Sequence, residues 1–289
     1  MLTGERARNI SQNHIGGGYI VRMPRDGKIV QLRYCGLLDA LCDACFPDYD
    51  YKDAKAIAAI PVELRQSTGL ARPWHGISRG RVVHNQVRAF VNSGGMAALG
   101  GMYKNTLGKA RHKDEEVSLA ASFLDSLAEV NLTPIRSEFS MYYEYLSLAS
   151  SVDLLCRHTD PRSGRVSLSL VEIKCGYDNS FKDGTGPLTA PESLRGLYNN
   201  SPYTQAFLQL AFYRQMVRHH FPHIPIGPCY VAQIRHSDTL YHLLPDDIIR
   251  GSAELLAAVG HVRLSQLQQQ QQQSAHSTRK RTKRRRAFN

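Results

Sequence analysis

Residues 152–174, VDLLCRHTDPRSGRVSLSLVEIK, decide how this chain is read. In the middle lies Asp160-Pro161-Arg162-Ser163-Gly164, a run of turn-forming residues: Asp and Ser bond their own backbone, Pro presets φ, and Gly accepts a left-handed φ. The following VSLSLVEIK reads as a strand. Side chains alternate faces along a strand, so Val166, Leu168, Leu170, Glu172 and Lys174 share one face, and Ser167, Ser169, Val171 and Ile173 the other. An apolar stripe therefore ends in an acid and a base two residues apart. An antiparallel hairpin centred on Arg162 and Ser163 puts Asp153 directly opposite Glu172, with Cβ atoms roughly 4.5–5.5 Å apart. Carboxylates that close repel unless a cation lies between them. Mg2+ is the natural candidate, because it takes oxygen ligands and is usually held by one or two carboxylates plus waters and phosphates. Lys174, beside them, is placed to orient a water or to stabilise charge on a phosphate. The bland alternative is a surface hairpin carrying an ordinary Glu–Lys pair.

Outward from this hairpin the text alternates between helix and strand signals. Towards the N-terminus, strand-like text occupies 134–156, preceded by helical spacing over 115–130 and 80–91, the latter closed by Ser93-Gly94-Gly95. Towards the C-terminus come a Gly-, Pro- and Asn-rich connection (176–202), a helix over 203–220, strands over 228–234 and 239–244, and a helix over 246–259. The first third is the least readable. GGGYIVRMPRDGKIVQLRY predicts two short strands around a Pro-Arg-Asp-Gly turn, and Leu37 to Cys45 has helical spacing; this segment is either an accessory module or an edge of the main fold. Six consecutive glutamines, 268–273, and a basic run follow, and everything after about 264 reads as disordered.

At 289 residues and 42% hydrophobic content the chain can build a sizeable core. It has no apolar run long enough to span a membrane and no secretory pattern at its start. Net charge is +11, of which seven charges fall on Arg279, Lys280, Arg281, Lys283, Arg284, Arg285 and Arg286, leaving a mildly basic body suited to a polyanion without demanding one. The run KRTKRRR reads as a nuclear address or a nonspecific nucleic-acid arm; a cytoplasmic or mitochondrial location ranks below. The six cysteines are irregularly spaced and read as reduced thiols. Cys35, Cys42 and Cys45 could supply three metal ligands, with plain helical packing as the favoured reading.

Several motifs carry a resemblance. Val152-Asp153-Leu154-Leu155 and Val171-Glu172-Ile173-Lys174 resemble the acid strand and E-x-K strand of the PD-(D/E)XK nuclease superfamily, in its RecB-like and lambda-exonuclease-like branch. Gln209-Leu-Ala-Phe-Tyr213 resembles that family's Q-x-x-x-Y helix, Gly80-Arg-Val-Val-His84 its G-x-x-x-H helix, and Thr133 to Glu138 the segment before its acid strand. The resemblance covers about residues 76–245. It implies an α/β fold, a central mixed sheet flanked by helices (a restriction-endonuclease-like core), with an N-terminal region over 1–75, the core over 76–263 and a tail over 264–289. It implies that Asp153, Glu172, the Ile173 carbonyl and His84 hold Mg2+ or Mn2+, that Lys174 assists the water, and that Gln209, Tyr213 and Glu138 act in or behind the site. Gln205, on the same helix face, and Lys182, Arg195, Tyr198, Asn199 and Asn200 in the long connection are candidate DNA contacts. The implied activity is DNA-end processing by a metal-dependent exonuclease in replication, recombination or repair, with a partner protein from those processes. The alternatives are a structure-specific or nicking endonuclease of the same fold and a catalytically silent nucleic-acid-binding scaffold.

Overall fold

The computed structural model describes residues 10–13, 18–25, 28–46, 73–93, 113–175, 186–235 and 237–287. The turn at 160–164 does what its composition dictates. Arg162 and Ser163 donate backbone N–H bonds to the Asp160 carboxylate, the Asp160 N–H donates to the Arg165 carbonyl, and Gly164 sits at φ +66°. The turn joins β5 (Leu148–Thr159) to β6 (Val166–Cys175), and the pairs run from Leu154↔Val171 to Thr159↔Val166, the register expected from the turn. The strand-like text before it folds as a hairpin too: β4 (Leu132–Tyr143) returns antiparallel through a 3-10 turn at Glu144–Leu146 into β5.

The short strands β7 (Gly186–Pro187) and β8 (Asn199–Asn200) form a separate two-stranded ladder, while the main sheet grows from the β5–β6 pair in both directions. β6 cannot pair in parallel with a further strand without a crossover. Helix α4 (Pro202–His220) supplies it, capped by Ser201, whose side chain accepts the Thr204 N–H. The crossover delivers β9 (Tyr230–Ile234) parallel to β6, and β10 (Thr239–Leu243) closes that edge antiparallel. Towards the other edge, β1 (Ile10–Asn13), β2 (Gly18–Arg25) and β3 (Lys28–Gly36) form an antiparallel meander joined to β5 by Cys35↔Leu148 and Gly36↔Ala149. Among the described residues the result is an eight-stranded mixed sheet. α1 (Leu37–Cys45) follows β3 and buries Leu37, Leu41 and Cys45 in the main core. The described part of residues 1–75 is thus an edge of the main fold, as one of the two sequence expectations held.

Both faces of the sheet are covered, which is why β6 is buried almost continuously from Leu168 to Cys175. On one face α1, α4 and α5 (Asp246–Ala287) pack over Leu155, Leu168, Leu170 and Val231. On the other, α2 (Pro73–Ser93) and α3 (Lys113–Ser126) pack over Leu154, Cys156, Val171 and Ile173.

Helix α5 departs from expectation. It was predicted to end near Val259, with disorder beyond about 264, yet it continues to Ala287. No proline follows Pro245 and no glycine follows Gly260, and the Gln, Lys, Arg and Leu that come after are good helix formers. A helix already nucleated by packing extends through such residues one bond at a time.

Candidate metal centre and active site

The β5–β6 ladder stops one pair before Asp153 and Glu172. β3 occupies the same edge of β5 at Leu148 and Ala149, so residues 150–153 form a short unpaired window between β3 and β6. Strand alternation also slips here. Val152 and Leu155 both pack towards α4, while Leu154 and Cys156 pack towards α2 and α3. Across from the slip, Glu138 of β4 has φ +53°, a left-handed conformation that costs a residue with a Cβ on the order of 1–2 kcal/mol. Two clamps hold it: Asn92 of α2 exchanges both hydrogen bonds with the Ser137 backbone, and Ser137 Oγ donates to the Asp153 carbonyl at 2.9 Å.

The expected facing pair therefore becomes a different arrangement. Instead of simply opposing Glu172, Asp153 reaches across the fork, and its Oδ2 accepts the Ile173 N–H at 2.7 Å. Its Oδ1 lies 3.4 Å from Nδ1 of His84, and Glu138 Oε1 lies 3.8 Å from the same nitrogen. His84 Nε2 is 3.2 Å from the Ile173 carbonyl. A carbonyl can only accept, so Nε2 carries the proton, and Nδ1 faces the two carboxylates. The Ile173 carbonyl, expected as a metal ligand, is thus engaged by the imidazole that stands beside the carboxylates. A backbone carbonyl holding the far nitrogen of a histidine is the usual way of orienting a metal ligand. One atom each from His84, Glu138 and Asp153 lie within 4.8 Å of one another, the geometry of a three-ligand cation site. Glu172 stands outside that trio. Its Oε1 accepts Lys174 Nζ at 2.7 Å, and its Oε2 is buried without a hydrogen-bond partner.

The charges follow from these contacts. Burial and the Asp153 charge push the Glu172 carboxyl up to about 7, against the pull of Lys174 and His84. For Asp153, burial would raise the pKa, but His84, Lys174 and the Ile173 N–H outweigh it and hold the carboxyl below its ordinary value. Burial would likewise lower His84, but Asp153 and Glu138 raise it well above the ordinary imidazole value. Without a cation, a proton on His84 does the neutralising.

No family model matches the chain and no curated protein does either.

The remaining sequence candidates fall into two groups. Gln209 and Tyr213 lie beneath the fork on the sheet-facing side of α4. Gln209 Nε2 donates to Tyr213 Oη at 2.6 Å, and Tyr213 Oη also bonds Ser150 Oγ at 3.0 Å. Tyr213 is 1% exposed, so it braces the β5 window and cannot meet a ligand in solvent. The others point elsewhere. Gln205 Nε2 donates to Cys42 Sγ, and Tyr198 Oη donates to the Asp247 carboxylate at 2.9 Å. Glu254 of α5 caps the Glu192 and Ser193 N–H groups. The described half of the long connection is thus strapped to α5; Arg195 is exposed there, Asn199 pairs with Pro187, and Asn200 pairs with Gly186. Lys182 lies outside the described residues. Among the described residues, Cys35, Cys42 and Cys45 do not form a metal-binding group. Burial drives the Cys42 thiol up to about 11 and Cys45 to about 12, as expected of packed thiols.

One neighbour was not found in the sequence. Tyr19 of β2 packs beside Ala149 at the end of the window, and burial, with a smaller push from the Glu138 and Asp153 charges, raises its phenol above the ordinary value. Nothing local marks Tyr19; only the long-range β3–β5 pairing brings it there.

Proposed function

We propose that this chain is a divalent-cation-dependent nuclease acting on DNA, with the restriction-endonuclease-like core of the PD-(D/E)XK superfamily. The observation that carries the reading is the convergence of His84, Glu138 and Asp153 on one point at the β5–β6 fork, beside Glu172 and Lys174. The donor set fits a cation: one carboxylate oxygen of Asp153 is anchored by the Ile173 N–H and the other faces His84 Nδ1, the imidazole is oriented by a carbonyl, and a buried Glu172 oxygen has no partner. Asp153, Glu138 and His84 would hold Mn2+ or Mg2+, the imidazole favouring Mn2+. When bound, the cation would supply Lewis acidity towards a phosphodiester and towards water. Lys174, held by Glu172 at the rim of the fork, donates to a phosphate oxygen as negative charge builds on it. Glu172, with its pKa near neutrality, is suited to accept a proton from the attacking water. The order β4–β5–β6, crossover α4, β9 supports the same family.

End processing by an exonuclease in replication, recombination or repair, in the nucleus, is the form of the activity proposed, with a nicking or structure-specific endonuclease of the same fold as the second reading. The test is degradation of labelled single- and double-stranded DNA in Mg2+, Mn2+ or EDTA, with covalently closed circles alongside. An exonuclease degrades linear DNA in either metal, spares the circles and stops in EDTA; an endonuclease opens the circles. Inactivity of the wild type on every substrate, or undiminished cutting by Lys174→Ala, defeats the nuclease reading.

A further inference from the structure

The β4–β5 turn gathers aromatic rings at the open edge of the sheet. β4 pairs with β5 on one side, and no strand among the described residues pairs with its other side. The end of α4 closes over that edge at Tyr142, whose carbonyl accepts the His220 Nε2–H. This contact lays a set of rings side by side. The centroids of Tyr143 and His219 are 4.8 Å apart, and Tyr145 completes a triangle with them, 6.0 Å from each. Tyr145 is 74% exposed, and His219 is exposed beside it. The turn under these rings is pinned. Leu146 is buried in the main core, its carbonyl accepts from the Arg263 guanidinium, and the Ser147 N–H donates to the Glu144 carbonyl. A ligand stacking on Tyr145 therefore orders only side-chain torsions, because the backbone is already fixed.

The chemistry of the triangle selects its occupant. Its members are planar rings with polar rims, and no aliphatic side chain is among them. The last turn of α4 adds Arg218, which is exposed, and carries no acid. Planar faces beside a guanidinium match an unpaired nucleobase and its phosphate. Glu144, the one acid of the turn, offsets part of that charge, which leaves stacking as the main source of affinity. A duplex keeps its base faces inside its own stack, so the match is to a single strand. Tyr143 stands five positions after Glu138 on β4, about 16 Å along the strand. A bound segment of several nucleotides covers that distance.

We propose that Tyr145, Tyr143 and His219 form a stacking site for an unpaired nucleobase, holding a single strand along the β4 edge with the phosphate to be cut at the fork. The choice of a nucleic acid rests on the nuclease reading above, and the exposed rings select the single strand over the duplex.

The experiment measures the affinity of the full-length protein for a labelled oligothymidylate and for an abasic oligonucleotide of equal length, in EDTA at roughly 0.15 M salt. Both probes carry the same phosphates, so the basic run at 279–286 attracts them alike. The wild type should bind oligothymidylate about tenfold more tightly than the abasic probe, Tyr145→Ala should lose that preference, and Tyr145→Phe should keep it. All three should melt at the same temperature. His219→Ala, which alters α4 and not the turn, should reduce the preference in the same direction. Equal affinity of the wild type for the two probes overturns the proposal. So does a preference left intact in Tyr145→Ala, or one lost equally in Tyr145→Phe, where the ring is still present. Binding in EDTA is read apart from cleavage. A wild type that cuts DNA in Mn2+ but shows no preference loses the stacking site alone. One that shows the preference yet cuts nothing in Mg2+ or Mn2+ keeps the stacking site and loses the nuclease reading.

Discussion

The two halves of the β5–β6 hairpin obey different rules. From Leu154↔Val171 outwards to the turn, every pair is in register and the buried residues are apolar apart from Ser169. On the other side of that pair the ladder opens, alternation slips, Glu138 adopts a left-handed φ, and the acids, the imidazole and Lys174 collect. The zipped half stores stability, while the open half gives up regular pairing and concentrates like charge. Sites that bind charged ligands often break local rules in this way.

That contrast can be broken from either side. Leu170→Ala, in the zipped half, removes a side chain that is 0% exposed, and should cost about 2–5 kcal/mol by urea denaturation. Asp153→Asn, in the open half, should lower DNA cleavage at least about a hundredfold while leaving the urea midpoint close to wild type; a collapse in stability instead would make Asp153 structural. Glu138→Gly relieves the positive φ and should raise the melting temperature by the equivalent of about 1 kcal/mol while weakening Mn2+ binding in calorimetry. Tyr198→Phe, in the strap between the long connection and α5, should cost about 1 kcal/mol, read from the same urea titration. The smallest effect concerns the thiols. Burial raises Cys229 to about 11 and Cys45 to about 12, so both keep their protons at pH 8, and mass spectrometry after iodoacetamide treatment should find them unmodified until denaturant is added.

How far each half could be read from sequence follows from the range of the forces involved. The zipped half was legible because turn chemistry and strand alternation are local: Asp160 to Gly164 set the register, and the register set the faces. Asp153, Glu172 and Lys174 were legible as neighbours for the same reason. Their detailed arrangement was not. The reach of Asp153 to the Ile173 N–H depends on Glu138, fifteen positions before Asp153 in the chain, and on an Asn92 clamp from another helix. Tyr198 looked like a free loop residue because its partner Asp247 is 49 residues away. Residues after 264 were read by composition, and composition alone does not register that a helix is already under way at Val259.

Helix α5 has a consequence for the order in which this chain acquires its structure during synthesis. Its first six turns touch the long connection through Glu254, α4 through Ser252, the β4–β5 turn through the Arg263 guanidinium on the Leu146 carbonyl, and α1 through Gln266 on Asp43. Leu37 and Leu41 of α1 belong to the same buried cluster as Ile248, Leu255 and Val259. An early segment thus waits on a late one. While a ribosome works through the strands, α1 and the α4 face of the sheet remain uncovered, and the closing event is held back until residues 246–266 have emerged. Domains generally fold as units, and exposed apolar surface on a growing chain invites chaperones. The interval between making β3 and making α5 is when this chain most needs one.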